Sequence, residues 1–342
     1  MTTGEGAVEA TDPISRDRAP ARRRLKLRGR YLAIAVIGVL LVGYSAASVM
    51  VYDKLSQVTA VCSGGRADPA SYTIENVDTT PYLLPEPAIR SFPSRDDPRV
   101  TIAASWYPAP TGLDSPTVIL SHGFTGCRFG PGDLLAAGML HKHGIAVLMI
   151  DLRNHGDSTK VDMRFAGGVV EYRDVLGAWD WLRALGVPER RIGLLGFSLG
   201  AATTMIAMGQ EPRIAAIWAD SSYGDIGTAM RDELTRNGYP TILEPGGVMA
   251  GKVIGRVDLE SHSPLETTTL LHGRPIFLTH GLLDQRINVQ SAYVLAASVA
   301  AHGEVAGLWI VPDAGHTQAI KLHPAEYEQR MSGFFLGALG GT

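Results

Sequence analysis

Arg191-Ile192-Gly193-Leu194-Leu195-Gly196-Phe197-Ser198-Leu199-Gly200, followed by the apolar segment Ala201 to Met208, is the stretch on which the reading of this chain turns. An apolar run ends, glycine-x-serine-x-glycine follows, and a helix-like segment begins. A nucleophile elbow requires that order: a buried strand, a sharp turn that lifts a serine hydroxyl above the sheet, then a helix. Gly196 and Gly200 suit the flanks because side chains there would strike the neighbouring strand and helix. The new helix aims backbone N–H groups and the positive end of its dipole at the same point. The bland alternative is a glycine-rich strand-to-helix turn with a serine cap, so partners elsewhere in the chain must decide.

Those partners occur downstream in a consistent order. Pro275 to Gly281 reads as a buried strand and turn that delivers Asp284. Ala306 to Val311 reads as the last strand and runs into Pro312-Asp313-Ala314-Gly315-His316, which places His316 on a loop just past a strand end. Alone, Asp284 reads as a turn or cap carboxylate and His316 as a solvated loop histidine. With Ser198 they make a serine, acid, histidine series, the chain order of one kind of nucleophilic triad. Asp220, after the strand Ile214 to Ala219, is a rival acid; Asp284 fits better because it follows the next strand in a His-Gly-x-x-Asp context.

Upstream, Thr117 to Ser121 reads as a strand that leads into His122-Gly123-Phe124-Thr125-Gly126. A serine that transfers acyl groups needs preorganised N–H donors for an oxyanion. The expected donors are the backbone N–H groups of Leu199 and Phe124; the alternative is an ordinary glycine-rich loop. Asp151, Asp157 and His155 read as structural, with Arg153 pairing a carboxylate.

His122-Gly123, the segment Asp151 to Ser158, Gly196 to Gly200, His280 to Asp284 and Gly315-His316 together resemble an α/β-hydrolase of the serine-hydrolase type, over about residues 72–340. Within that superfamily the chain is most similar to the membrane-anchored esterase, thioesterase and peptidase-like branch called Bem46-like, although Ile287-Asn288 stands where members often carry Val-Pro. The resemblance implies a mostly parallel eight-stranded sheet with helices on both faces, and a short cap inserted at about residues 221–270. It implies cleavage of carboxylic esters or thioesters through an acyl-enzyme on Ser198, with His316 as base, Asp284 as its partner and no cofactor. A serine peptidase of the same fold and a non-catalytic, membrane-tethered binding protein are the alternatives.

Composition narrows the setting. The 342 residues accommodate one such domain and an N-terminal extension. Residues 1–51 carry eight Lys/Arg against four Asp/Glu, which leaves 23 basic and 30 acidic groups for the rest. A domain that acidic is a poor nucleic-acid binder. No C-x-x-C or H-E-x-x-H pattern occurs, so no metal site is expected. Cys62 and Cys127 could pair on an extracytoplasmic face, but two free thiols is the preferred reading.

Tyr31 to Val51 is 21 residues without a charge, long enough to span a bilayer as a helix. Six basic residues between Arg22 and Arg30 precede it, which puts the N-terminus in the cytoplasm and the following domain outside. The expected organisation is therefore a disordered basic segment (1–30), a transmembrane helix (31–51), a linker (52–71) and the hydrolase domain (72–342). A cleaved signal peptide ending near Ser45-Ala46-Ala47 and a buried core helix are the rival readings. The expected partners are a small-molecule or lipid acyl substrate and the membrane, with the oligomeric state open.

Overall fold

The apolar strands assemble into one eight-stranded sheet of order β1-β2-β4-β3-β5-β6-β7-β8. The computed structural model describes residues 1–4, 6–7, 18–302 and 307–340, and the chain divides into two units, Met1–Ala47 and Ser48–Thr342. In chain order the main elements are α1 (Arg18–Ser56), β1 (Ala88–Pro93), β2 (Thr101–Tyr107), β3 (Thr117–Ser121), α2 (Pro131–Lys142), β4 (Ala146–Ile150) and α3 (Tyr172–Leu185). There follow β5 (Ile192–Phe197), α4 (Leu199–Gln210), β6 (Ala216–Asp220), α5 (Ile226–Arg236), α6 (Glu244–Val253) and α7 (Pro264–Thr267). The chain ends with β7 (Ile276–Gly281), α8 (Gln290–Ala301), β8 (Gly307–Val311), α9 (Ala319–Leu322) and α10 (Pro324–Leu339).

Strand β2 runs antiparallel to β1 and β4, and the strands from β4 through β8 are mutually parallel. Every residue of β3, β4, β5, β6 and β7 is buried, as a parallel sheet covered on both faces demands. At the edge, β1 exposes most of its residues. The register pairs Ser121 with Gly196, Phe197 with Asp220, and Gly281 with Val311. The carboxyl ends of these strands therefore share one rim, where ligands of open α/β sheets bind. On one face of the sheet Trp218 stacks on Phe277 with ring centroids 4.0 Å apart, and its indole N–H donates to the Tyr327 hydroxyl of α10 at 3.0 Å. Burying an aromatic ring of that size removes about 150–250 Å² from water, or about 4–6 kcal/mol of transfer free energy.

Two regions differ from expectation. Helix α1 begins at Arg18, so the backbone of residues 18–30 is helical where an unstructured segment was expected. Arg, Lys, Leu and Ala dominate that stretch, and all are strong helix formers; the disorder expected of residues 1–20 otherwise falls mainly outside the described residues. The stretch 52–71 is no free linker. Residues 52–56 complete α1, the Val58 N–H donates to the Met163 carbonyl, and Cys62 forms a disulfide with Cys127. The reading of two free thiols is thereby corrected. The two Cα atoms lie 4.9 Å apart because the Ser63 N–H also bonds to the Thr125 carbonyl and holds the strands of chain together. In the cap, the glycine-rich part after α5 is a helix, α6. Its Pro245 sits in the first turn, where a missing N–H costs nothing, and its packing offsets the poor propensity of its glycines.

Helix α1 contains Leu27–Ser56, long and apolar enough to cross a membrane. Within its first unit Leu32, Ile34, Val39, Leu40 and Val42 are all well exposed.

Candidate active site

Strand β5 ends at Phe197, and Ser198 takes φ 54° and ψ −116° before α4 begins at Leu199. Such a backbone is strained for a residue with a Cβ and persists only where the surroundings enforce it. Here the enforcement is crowding. A Cβ on Gly196 would collide with the Gly200 backbone, and one on Gly200 with the Ser121 and His122 carbonyls. The Ser198 N–H is tied to the Asp220 carbonyl at 2.8 Å. The hydroxyl is thus held above the strand ends at the mouth of two cavities.

The structure brings Ser198, His316 and Asp284 together. The His316 Nε2 lies 2.8 Å from the Ser198 Oγ, and its Nδ1 lies 2.7 Å from Asp284 Oδ2. A proton on Nδ1 donated to Asp284 leaves the Nε2 lone pair facing the serine hydroxyl, the tautomer a general base requires. Asp284 Oδ1 accepts the N–H groups of Arg286 (2.8 Å) and Ile287 (3.0 Å). Burial alone would push the Asp284 carboxyl up, but hydrogen bonds from His280 and His316 outweigh it and hold the group well below the usual carboxylate range. Asp284 is therefore an anion beside His316.

The rival acid, Asp220, is fully buried and bonds instead to the Ser221 hydroxyl and the Tyr327 hydroxyl, each at 2.8 Å. Burial pushes its carboxyl up despite those bonds. Its reach toward the site is indirect, since Ser221 Oγ accepts the Thr317 N–H at 3.2 Å and so pins the loop carrying His316.

Leu199, as the first residue of α4, presents its N–H where that helix's dipole is positive. Phe124 lies in the loop after β3. Among the described residues no protein group accepts from either N–H. The loop is rigidly placed. Gly126 N–H closes a turn on the Gly123 carbonyl, and the Thr125 N–H donates to His155 Nε2 at 3.2 Å. The His155 Nδ1 faces the Arg153 carbonyl at 2.9 Å, and burial holds the ring well below the usual histidine range, at about 3. His155 is therefore a neutral brace under the loop. Arg153 pairs with Asp174 and Asp96, and Asp151 accepts the Arg128 and Asp157 N–H groups at 2.7 and 2.8 Å. The Cys62–Cys127 disulfide staples the same loop from its far side.

The roles of several residues at the site escaped the sequence reading. His280, buried at the end of β7, has Nε2 3.2 Å from Asp284 Oδ2 and 3.0 Å from the Ile287 carbonyl, so that nitrogen carries a proton. Its i, i+4 spacing from Asp284 was the available signal. Arg286 donates to Glu233 at 2.8 Å, and the Asn288 N–H donates to Asp232 at 2.9 Å; these bonds tie the acid loop to α5. Asn288, where members of the branch suggested often carry proline, thus supplies an N–H that a proline would lack.

Two cavities meet at Ser198. One, of about 210 Å³, is mainly apolar and is walled by Phe124, Phe165, Ile226, Ala229 and Met230, with Lys54 and Leu55 from the end of α1. The other, of about 380 Å³, is more polar and includes Ser63, Asp133, His316 and Lys321. Arg286 borders both and lies over the Phe124 ring, 5.8 Å from its centroid. Among the described residues there is no group of His, Cys, Asp and Glu side chains arranged to hold a metal ion.

A serine elbow at the carboxyl rim of an eight-stranded, mostly parallel sheet defines an α/β-hydrolase of the serine-hydrolase class, and the comparisons agree. The chain belongs to the prolyl oligopeptidase family, whose model matches residues 135–342. It is a hydrolase. The esterase Pf2001 of Pyrococcus furiosus is similar at 25% identity and a TM-score of 0.61, over 81% of this chain and 99% of the esterase. The acylaminoacyl peptidase of Pyrococcus horikoshii shares the fold at 20% identity and a TM-score of 0.57, over 75% of this chain and 42% of the peptidase. So does Est1E of Butyrivibrio proteoclasticus, solved with ferulic acid, at 16% identity and a TM-score of 0.55, over 73% and 99% of the two chains. An uncharacterised 31.7 kDa protein from the traX-finO intergenic region of Escherichia coli is 27% identical over 143 residues, 41% of this chain and 49% of its own. The chain spans about half the length of the curated relatives it matches. The Bem46-like resemblance finds no counterpart in these relatives.

Proposed function

We propose that this chain is a membrane-anchored serine hydrolase that cleaves carboxylic ester bonds through Ser198, His316 and Asp284. The observation that carries the reading is His316 held between the other two, at 2.8 Å from the Ser198 hydroxyl and 2.7 Å from the Asp284 carboxylate. His316 Nε2 takes the proton from Ser198 Oγ as that oxygen attacks the acyl carbonyl. The tetrahedral oxyanion is received by the N–H groups of Leu199 and Phe124, which need no reorganisation to reach it. Collapse expels the alcohol, which leaves with the proton from His316. Water, deprotonated by the same nitrogen, then attacks the acyl carbonyl, and the ester bond to Ser198 breaks as His316 returns the proton to Ser198 Oγ and the acid departs. Asp284 stays ionised throughout and stabilises the imidazolium.

An ester is favoured over a peptide by the mainly apolar cavity beside the serine, suited to an acyl chain, and by the likeness to the Pyrococcus furiosus esterase. A peptidase is the second reading, supported by the family description and by the acylaminoacyl peptidase neighbour. Turnover of a p-nitrophenyl ester series against aminoacyl p-nitroanilides separates the two. Faster cleavage of anilides than of every ester overturns the ester reading. Fluorophosphonate labelling that requires both Ser198 and His316 tests the activated serine itself, and labelling that survives Ser198→Ala sinks it.

The anchor is the apolar stretch of α1, with the basic cluster before it on the cytoplasmic side. The Cys62–Cys127 disulfide supports an extracytoplasmic catalytic unit, since disulfides persist in oxidising compartments. Protease protection in oriented membrane vesicles checks that topology.

A further inference from the structure

The last turns of α1, which belong to the catalytic unit, are built into its cap. Val51 and Tyr52 are buried, with relative exposures of 2% and 5%, whereas Val49 and Met50 before them remain open at 38% and 53%. Their partner is α6 and the turn after it, which carry glycines at four-residue intervals, Gly247, Gly251 and Gly255. A Cβ at Gly247 would touch the Val51 side chain, one at Gly251 would press on the Tyr52 ring, and one at Gly255 would collide with the Tyr52 hydroxyl. Small residues at that interval let two helices approach closely. Asp53 and Arg164 form an ion pair, and Lys54 donates to the Tyr239 hydroxyl at 2.7 Å, so the junction is also pinned by polar contacts.

Length fixes where this junction stands. The uncharged run Tyr31–Val51 has 21 residues, about 32 Å of helix, against a hydrocarbon thickness of about 30 Å. With that run as the span, Val51 and Tyr52 stand at its end, which is the boundary of the hydrocarbon, where tyrosine is favoured. Whatever packs on them lies at that boundary too. Helix α6 and the residue after it expose Met249 (58%), Val253 (70%) and Ile254 (54%). The next residues of α1, Lys54 and Leu55, line the apolar cavity that opens on Ser198.

We propose that the exposed apolar face of α6 is seated in the lipid bilayer, and that the cavity walled by Leu55 takes the acyl chain of a membrane lipid ester across that face. This rests on the reading of α1 as an anchor and Ser198 as an acyl-transfer nucleophile. It goes further, by giving the cap a bilayer contact and the substrate a membrane source.

The test uses the full chain in phosphatidylcholine–phosphatidylglycerol vesicles, with Cys62 and Cys127 left paired. A nitroxide is attached after Val253→Cys, or after Leu185→Cys at the opposite end of the sheet, where α3 turns into β5. Collision rates are read with oxygen, which partitions into lipid, and with a water-soluble nickel chelate. The oxygen-to-nickel ratio at position 253 is expected to exceed that at position 185 severalfold. Equal ratios overturn the proposal, and so does protection from both agents, which a second copy of the chain seated on α6 would give. The readout involves no turnover and can be repeated in Ser198→Ala, so it stands or falls apart from the ester reading. The acyl half is tested with Met249→Glu/Val253→Glu. Hydrolysis of a long-chain ester held in vesicles should fall at least tenfold while p-nitrophenyl butyrate turnover is unchanged. Equal retention of both activities overturns that half.

Discussion

The two sides of Ser198 are built by different means. On one side the cavity wall is helix α5 with its apolar Ile226, Ala229 and Met230, plus the end of α1. On the other it is the start of α2, the stapled loop near Cys62 and the His316 loop, with Asp133 and Lys321. Ser198 directly follows β5, while Asp284 and His316 sit on the loops after β7 and β8, so the sheet's register brings all three to one rim. On the proposed function, the difference separates reactivity from selection: the sheet brings the three reacting residues to one rim, and segments inserted between strands shape the two cavities that a substrate would enter.

The largest expected effect breaks the sheet-borne part. Ser198→Ala or His316→Ala should lower kcat by about 10⁴–10⁶ with circular dichroism and melting unchanged, and Asp284→Asn by about 10⁴ through loss of the productive tautomer. Asp220→Asn, which leaves the His316–Asp284 bond in place, should cost far less than Asp284→Asn. Equal losses would mean that the carboxylates share the role.

The next effect lies in the stapled wall. The disulfide closes a loop of 65 residues, for which chain entropy gives about 4 kcal/mol. Cys62→Ser/Cys127→Ser should lower stability by about 2–4 kcal/mol in a denaturant titration, with an unchanged midpoint counting against the bridge. A smaller effect belongs to the apolar wall. Ala229→Phe should cut kcat/KM for long-chain esters by about 10–200-fold and spare acetate esters, and a uniform loss across the series would show that this cavity does not hold the acyl group.

The smallest effect concerns Asp133 in the polar wall. Although the residue keeps some exposed surface, its Oδ1 is buried without a partner among the described residues, and burial pushes the carboxyl up to about 7. The fold therefore favours the protonated form. The stability penalty is absent below the ordinary value of 3.8, grows as pH rises, and is complete above about 7. Asp133→Asn should raise the melting temperature more at pH 8 than at pH 5, and the same gain at both would refute the assignment.

The elbow was legible because its chemistry is local: two glycines, a serine, an apolar run before and an apolar helix after. Asp284 and His316 were legible as loop residues beyond apolar runs, in an order that a sheet of parallel strands brings to one rim. Other parts were not. The stretch 52–71 lacks periodicity and reads as a tether, yet its cysteine bonds across 65 positions to the loop after β3. The packing of α6 on α1 was not legible, since propensity is counted residue by residue and cannot register a tyrosine ring that needs the missing side chains of its glycines.

The sequence by itself determined the strand-turn-helix unit at Ser198, the order of its partners and the apolar length of α1, because each is a pattern of neighbours along the chain. Only the tertiary structure decided that Asp284 rather than Asp220 meets His316. Only it paired Cys62 with Cys127 and set Leu55 of α1 in the wall of the cavity at Ser198. Those are contacts between residues far apart in the chain, and distance along a sequence carries no record of which of its parts will close on one another when apolar surfaces are buried together.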